Sequence, residues 1–179
     1  PLVGIEDPEG VDVDEGKEAK LEVEASGTPP LTYKWYRNGA QREVGDPIGT
    51  NSELILEDVT EEDDGKYFVV VSNKVGDSDD SDDSEAQLKV FIKPSIDTHP
   101  TSTNVFEGDE ARFEVKAKGD ELKYQWFKDG ENSEPIPSET NSVLILPKVT
   151  KKEAGKYFVV VSNEVDKDES KIVEVLIKP

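Results

Sequence analysis

The sequence KYFVVVSN occurs twice in the chain, at residues 66–73 and again at residues 156–163. The stretch before it is repeated as well, because TNSELIL at 50–56 returns as TNSVLIL at 140–146. In both stretches the copies are 90 residues apart. A repeat of this length in a chain of 179 residues predicts two copies of one structural module.

A third repeated segment places the boundary between the modules. The tripeptide IKP at 92–94 returns at 177–179. Proline has no N–H to donate to a strand ladder and is typical of the end of a strand. We therefore place the boundary between Lys93 and Pro94, which predicts domains of residues 1–93 and 94–179 joined by a short linker.

Within each module, apolar and polar residues alternate with a period of two. Ala19, Leu21 and Val23 alternate with charged residues in the first module, and Phe113 and Val115 do so in the second. Such a strand buries one face and leaves the other in water. Turn residues separate these stretches at the spacing of short antiparallel strands. The sequence therefore predicts an all-β fold, with each module a two-layer β-sandwich.

The composition excludes several classes of function. The chain has no cysteine or methionine, and its 41 acidic and 21 basic residues give a net charge of −20. Thiol enzymes and disulfide scaffolds are excluded, and nucleic acid is not expected as a partner of so acidic a chain. Membrane insertion is not expected either, because no apolar stretch approaches the ~20 residues that span a bilayer. Since the chain begins at Pro1, we expect a fragment of a longer protein.

Two further features accompany the repeat in both modules. A tryptophan lies in the third predicted strand of each, at Trp35 and Trp126. Later comes a stretch of the form acid-x-Gly-x-Tyr-x-Val, at 63–69 and 153–159. This combination resembles immunoglobulin-like domains of the intermediate set. The resemblance implies two tandem Greek-key sandwiches.

The resemblance also implies roles for single residues. Tyr67 and Tyr157 are expected to donate the corner hydrogen bond at the start of strand F, and the tryptophans to pack between the sheets. A disulfide usually joins the sheets there, whereas this chain has valine at all four cysteine positions, which are Val23, Val69, Val115 and Val159. Each module therefore lacks the ~3–4 kcal/mol of a cross-link and relies on apolar packing. The sequence also resembles the cysteine-free immunoglobulin repeats of large bacterial surface and secreted proteins, and this resemblance implies an extracellular or cell-surface location.

No arrangement of residues predicts catalysis. His99 is the only histidine, and we expect it to be a solvated residue at a strand edge. No glycine-rich phosphate loop follows a predicted strand. We therefore predict that the chain is not an enzyme.

The acidic charge is concentrated in the first module, where residues 1–93 carry a net charge of −15 against −5 in residues 94–179. The densest run, 76–85, joins the last two strands of the first module, and the matching connection of the second module is expected to be five residues shorter. Carboxylates at this spacing suit Ca²⁺, which takes 6–8 oxygen ligands. The alternative is a solvated acidic loop without a metal. The candidate Ca²⁺ ligands are Asp77, Asp79, Asp80, Asp82, Asp83, Glu85, Asp166 and Asp168.

Strand parity predicts a second candidate surface. If Tyr67, Val69 and Val71 point inward, the residues between them point outward. The outward-facing apolar residues of a possible lateral interface are Tyr36, Phe68, Val70, Phe127, Phe158 and Val160. An exposed apolar stripe is typical of a binding face. The alternative is cross-strand pairing that stiffens the sheet without any partner.

These observations favour a structural and adhesive function. We expect a stalk, a spacer or a laterally assembling repeat of a larger extracellular protein, stiffened by Ca²⁺. Its expected partners are neighbouring repeats of the same chain and homotypic or other cell-surface protein contacts. Two alternatives remain open: a module that binds a specific protein or glycan, and an engineered immunoglobulin scaffold.

Overall fold

The structure is a computed structural model that describes residues 3–37, 47–75, 85–129 and 133–179. The chain divides into two compact units, Pro1–Phe91 and Ile92–Pro179. The units separate two residues before the predicted boundary because the backbone of Ile92 belongs to the second one. Its N–H donates to the Asp120 carboxylate at 2.8 Å, and its carbonyl accepts from the side chain of Asn163 at 2.7 Å.

The described residues of the first domain form short strands and one 3₁₀ turn, Glu61–Asp63. Its strands are β1 (Gly4–Ile5), β2 (Val11–Asp14), β3 (Ala19–Glu22), β4 (Ala25–Ser26), β5 (Thr32–Arg37), β6 (Glu53–Leu56), β7 (Gly65–Ser72) and β8 (Glu85–Phe91). The large sheet has the order β2-β8-β7-β5, and two small sheets pair β3 with β6 and β1 with β4. Strands β2 and β8 run parallel, whereas the other pairs are antiparallel.

The second domain repeats this plan with more of its edge strands described. Its strands are β9 (Ser95–Thr98), β10 (Thr103–Val105), β11 (Ala111–Glu114), β12 (Lys116–Lys118), β13 (Lys123–Lys128), β14 (Glu134–Pro135), β15 (Val143–Leu146), β16 (Gly155–Ser162), β17 (Lys167–Glu169) and β18 (Val173–Ile177). The large sheet has the order β10-β18-β16-β13-β14, with β17 also on β16. The small sheets pair β11 with β15 and β9 with β12. The predicted pair of all-β sandwiches is confirmed.

Each domain encloses its core between the large sheet and the small β3–β6 or β11–β15 sheet. The alternation of apolar residues places one face of every long strand inside, and Trp35 and Trp126 are fully buried at the centre. Residues 51–71 and 141–161 have the same sequence of buried, half-buried and exposed positions. The apolar face therefore produces the same pattern of buried residues in both domains.

The register of the last strand corrects one feature of the repeat. Tyr67 and Tyr157 are 90 residues apart, but Leu88 and Val175, which face the equivalent glycines at the start of β7 and β16, are only 87 apart. The connection before the last strand is therefore three residues shorter in the second domain, not five. The two IKP segments misled the prediction because they are not at equivalent positions in the ladder.

Candidate functional site

The predicted tyrosine corners are present in both domains. The Tyr67 hydroxyl donates to the backbone carbonyl of Asp63 at 2.8 Å, and Tyr157 donates to Glu153 at 2.5 Å. Burial raises the pKa of Tyr67, and it raises that of Tyr157 to about 12. Both phenols are therefore neutral hydrogen-bond donors at physiological pH, as a structural corner requires.

The valines at the cysteine positions are buried in both domains. In the second domain, Val115 and Val159 are 2% and 0% exposed and belong to one apolar cluster with Trp126. In the first domain, Val23 and Val69 are each 3% exposed. The tryptophans are anchored alike, because the indole N–H of Trp35 donates to the Asn51 carbonyl at 2.9 Å and that of Trp126 to Asn141 at 2.8 Å.

The outward phenylalanines are covered by their cross-strand neighbours. Phe68 lies opposite Tyr36 and stacks on it with ring centres 5.2 Å apart, and Phe158 stacks on Phe127 at 5.0 Å. Phe68 and Phe158 are each only 8% exposed. Of the two predicted alternatives, the exposed stripe is therefore wrong for these phenylalanines, because stacking removes them from water, whereas cross-strand pairing is what the structure has. Val70 and Val160, two residues after the stacked phenylalanines on the same strands, are half-buried.

Three of the eight predicted calcium ligands belong to the described residues. Asp77, Asp79, Asp80, Asp82 and Asp83 lie outside the described residues.

The three predicted ligands that are described have other contacts. Glu85 forms an ion pair with Lys66 at 2.9 Å. Asp168 accepts from the N–H groups of Ile96 and Glu169, and Asp166 from that of Lys167. Within the described ranges, no group of three or more acidic or histidine side chains is placed to hold a metal. Calcium binding stays a prediction.

Sequence reasoning missed a carboxylate that fastens the last strand of the first domain. Asp64 accepts the N–H of Val90 at 2.9 Å and pairs with Lys89 at 3.3 Å. The hydrogen bond from Val90, aided by Lys89, lowers the pKa of Asp64. The only available signal was that Ala154 replaces this aspartate in the other copy of the repeat.

The second domain fastens its last strand through a bulge. Between β17 and β18, residues 170–172 face only residues 158 and 159 of β16. The buried Ser170 occupies the bulge, where its Oγ accepts the N–H of Val159 at 3.0 Å and its own N–H donates to the Val159 carbonyl. His99 accepts the freed N–H of Lys171 through Nδ1 at 3.2 Å. The histidine is half-buried and serves a structural contact.

No helix in the described part of the chain has the length and hydrophobicity to cross a membrane.

The chain was compared with known protein families and curated proteins. The family described as "Immunoglobulin domain" matches residues 5–73 and 93–163. The chain is 33% identical over 171 residues to the muscle M-line assembly protein unc-89 of Caenorhabditis elegans, covering 91% of this chain and 2% of that protein. It is 28% identical over 187 residues to the netrin receptor DCC of Rattus norvegicus, covering 99% of this chain and 12% of the receptor.

Solved structures share the fold. An I-band fragment of titin, I67-I69, has a TM-score of 0.69 at 25% identity, covering 99% of this chain and 66% of the fragment. The structure of DIP-gamma IG1+IG2 has a TM-score of 0.76 at 17% identity, covering 100% of this chain and 99% of that one.

The chain spans only a small part of its curated relatives' length, 2% of unc-89 and 12% of the receptor. These relatives come from animals, which does not support the expected resemblance to bacterial proteins.

Proposed function

This chain belongs to the immunoglobulin domain family, and from that premise we propose that it is a tension-bearing spacer within a larger protein. The tandem domains match repeats of large structural and surface proteins, among them a muscle M-line assembly protein and hemicentin-1. Like those repeats, the module is non-enzymatic. The function concerns mechanical support and contact with other proteins rather than chemistry.

The parallel pairing of the outer strand with the last strand carries this proposal. Strand β2 lies beside β8, and β10 lies beside β18, in parallel register. The ladders are closed by hydrogen bonds from Glu15 N to Phe91 O at 2.9 Å and from Lys178 N to Val105 O at 2.8 Å. Each pair joins the beginning of a domain to its end. A pull on the two ends therefore loads these parallel hydrogen bonds together in shear rather than one after another.

Single-molecule stretching of the full chain tests the proposal. We expect two separate unfolding events, one for each domain. Val105 faces Ile177 in the parallel ladder, and Val105→Pro removes a backbone donor from it. The unfolding force of one event should fall while the other keeps its force as an internal control. Val13→Pro, at the equivalent position opposite Val90, should weaken the other event. Unchanged forces in both variants would contradict a shear-loaded spacer.

Recognition of a cell-surface protein is the second candidate function. The observation that favours it is the 28% identity to a netrin receptor over 99% of this chain. The similarity to a receptor favours an extracellular or cell-surface location. The similarity to a muscle assembly protein and to myotilin favours a location inside the cell. Surface labelling of intact cells that express the parent protein distinguishes the two locations.

We also propose that Ca²⁺ stiffens the chain through the acidic run at 76–85. The support is five aspartates within residues 77–83, whose mutual repulsion a bound cation would relieve. Titrating Ca²⁺ against the thermal midpoint should raise it, and replacing the five aspartates by asparagine should abolish the effect. An unchanged midpoint at millimolar Ca²⁺ would reject this part of the proposal.

A further inference from the structure

The two domains carry opposite charges at equivalent exposed positions in one turn. In the first domain this turn follows β6, and in the second it follows β15, 90 residues later. The exposed acids of the first domain are Asp58, Glu61 and Glu62. The exposed bases at the same three positions of the second domain are Lys148, Lys151 and Lys152.

The same reversal occurs at the far end of the small sheet. Glu24, an exposed acid two residues after β3, is replaced in the second domain by the exposed Lys116. Between these ends, Ile55 and Ile145 lie on the outer face of β6 and β15 and are 49% and 46% exposed. Opposite each isoleucine on the paired strand lies a cation that is ion-paired within its own domain, Lys20 with Glu22 and Glu53 and Arg112 with Glu114. Beyond the two ends of the small sheet, the charges have opposite sign in the two domains.

These eight charged side chains form no ion pair with any described residue of their own chain. By contrast, the acid at the end of each turn has an internal role, because Asp63 accepts from Thr60 and Glu153 from Thr150. In the neighbouring turns before β3 and β11 this reversal is not repeated, since Glu15 and Glu107 have the same sign and Lys17 and Asp109 differ in the other direction. The reversed charges are thus available to a partner.

We propose that this side of the first domain docks on the same side of the second domain in another copy of the chain. The acidic surface is defined by Glu24, Ile55, Asp58, Glu61 and Glu62. The basic surface is defined by Lys116, Ile145, Lys148, Lys151 and Lys152. The two isoleucines pack together and the flanking charges pair across the contact. Because the contact joins unlike surfaces, copies either close into a small assembly or extend into a chain.

The net charge of −20 opposes this association at long range, so its salt dependence is characteristic. At 0.01 M salt the screening length is ~30 Å and whole molecules repel each other. At 0.15 M it is ~8 Å, which screens the distant charges more than the pairs in contact. At 1 M the contacts are screened as well. We expect association to be strongest at intermediate salt.

Sedimentation of the full chain at several concentrations and salt levels tests the proposal. The variant Lys148→Glu, Lys151→Glu, Lys152→Glu makes the turn acidic in both surfaces, and we expect association at least about tenfold weaker. The control variant Lys123→Glu, Lys156→Glu, Lys167→Glu has the same net charge but changes exposed positions of the large sheet, and it should associate like the natural chain.

A complementary variant makes the test decisive. Asp58→Lys, Glu61→Lys, Glu62→Lys makes the turn basic in both surfaces, and this variant should not associate with itself. Mixed with the acidic variant, it should restore a complex. A natural chain that stays monomeric up to on the order of 1 mM at 0.15 M salt would overturn the proposal. So would equal weakening in the control variant, or a mixture that forms no complex.

This inference names a partner for the contact with other proteins that is part of the proposed function, and it rests on that function. The two can nevertheless fail separately, because the stretching experiment reads the β2–β8 and β10–β18 ladders of single molecules. A chain with strong ladders and no self-association would retain the spacer function and lose only this contact.

Discussion

The two domains share one frame and fasten its last strand in different ways. In the first, the Asp64 carboxylate accepts the N–H of Val90 and extends the ladder between β7 and β8. In the second, alanine occupies that position, and a bulge centred on Ser170 ties β16 to the last strand instead. The comparison teaches that the apolar alternation fixes the sandwich, whereas the carboxylate at the position of Asp64 is dispensable to it, since alanine occupies that position in the second domain.

The largest expected effect tests whether the two cores are equivalent. Trp126→Ala removes a fully buried side chain, and we expect a loss of about 3–5 kcal/mol in the stability of the second domain. Trp35→Ala should cost the first domain a similar amount. Denaturant unfolding followed by circular dichroism reports both domains and gives the loss, and the fluorescence of the remaining tryptophan reports the other domain, which should be unaffected. Very unequal losses of stability in the two variants would show that the two cores are not energetically equivalent.

A cross-link at the cysteine positions sharpens the same comparison. The double variant Val115→Cys, Val159→Cys should form a disulfide and stabilise the second domain by about 2–4 kcal/mol under oxidising conditions. Val23→Cys, Val69→Cys should do the same in the first domain. The reduced proteins are the controls for the loss of valine packing. Failure to oxidise in either domain would mean that its valines do not face each other across the sheets.

Removal of the bulge serine should affect only the second domain. Ser170→Ala leaves the N–H of Val159 without its acceptor in a buried place, which should cost about 1–3 kcal/mol. Thermal unfolding should show one domain shifted and the other unchanged. Ser170→Thr, which keeps the hydroxyl, should retain more of the stability than alanine does.

The smallest expected effect concerns Asp64 and depends on pH. Because the folded-state pKa of Asp64 lies below its ordinary value of 3.8, its contribution is fully present above that value and is lost as the pH falls through the folded pKa. Asp64→Ala should cost the first domain about 1 kcal/mol at neutral pH, since the group is partly exposed.

The second domain provides the matched control for this prediction, because Ala154 occupies the equivalent position. Unfolding of the Asp64→Ala variant should differ from that of the natural chain at pH 7 and converge with it in acid. A difference that persists at the lowest pH would show that packing, not the carboxylate, is responsible.

The alternation of apolar and polar residues was sufficient to predict the two-layer sandwich. It identified the strands and the buried face, because burial of an apolar face depends on residues only two positions apart, whereas the central place of the tryptophans came from the resemblance to immunoglobulin-like domains. It also predicted that Phe68 points outward, but it left open whether a partner or a cross-strand neighbour such as Tyr36 covers it. That contact depends on the register between two strands, which a single strand's pattern does not contain.

The fastenings could not be predicted for a related reason. Asp64 and Val90 are 26 residues apart, and Ser170 acts only because one extra residue bulges out of the last strand. Neither contact leaves a periodic signal. The repeated IKP segment even suggested a false alignment of the last strands, since identical short segments can occupy different ladder positions.

The asparagine that ends each KYFVVVSN block has a consequence for how such modules can be recombined. Asn73 donates to the Thr28 carbonyl, and Asn163 donates to both the Asp120 and the Ile92 carbonyls. The second module is thus hydrogen-bonded, through Asn163, to the backbone of its own first residue, Ile92. A gene fusion joined after Ile92 would lose the hydrogen bond from Asn163 to the Ile92 carbonyl. A fusion joined before Ile92 would keep both hydrogen bonds of Asn163.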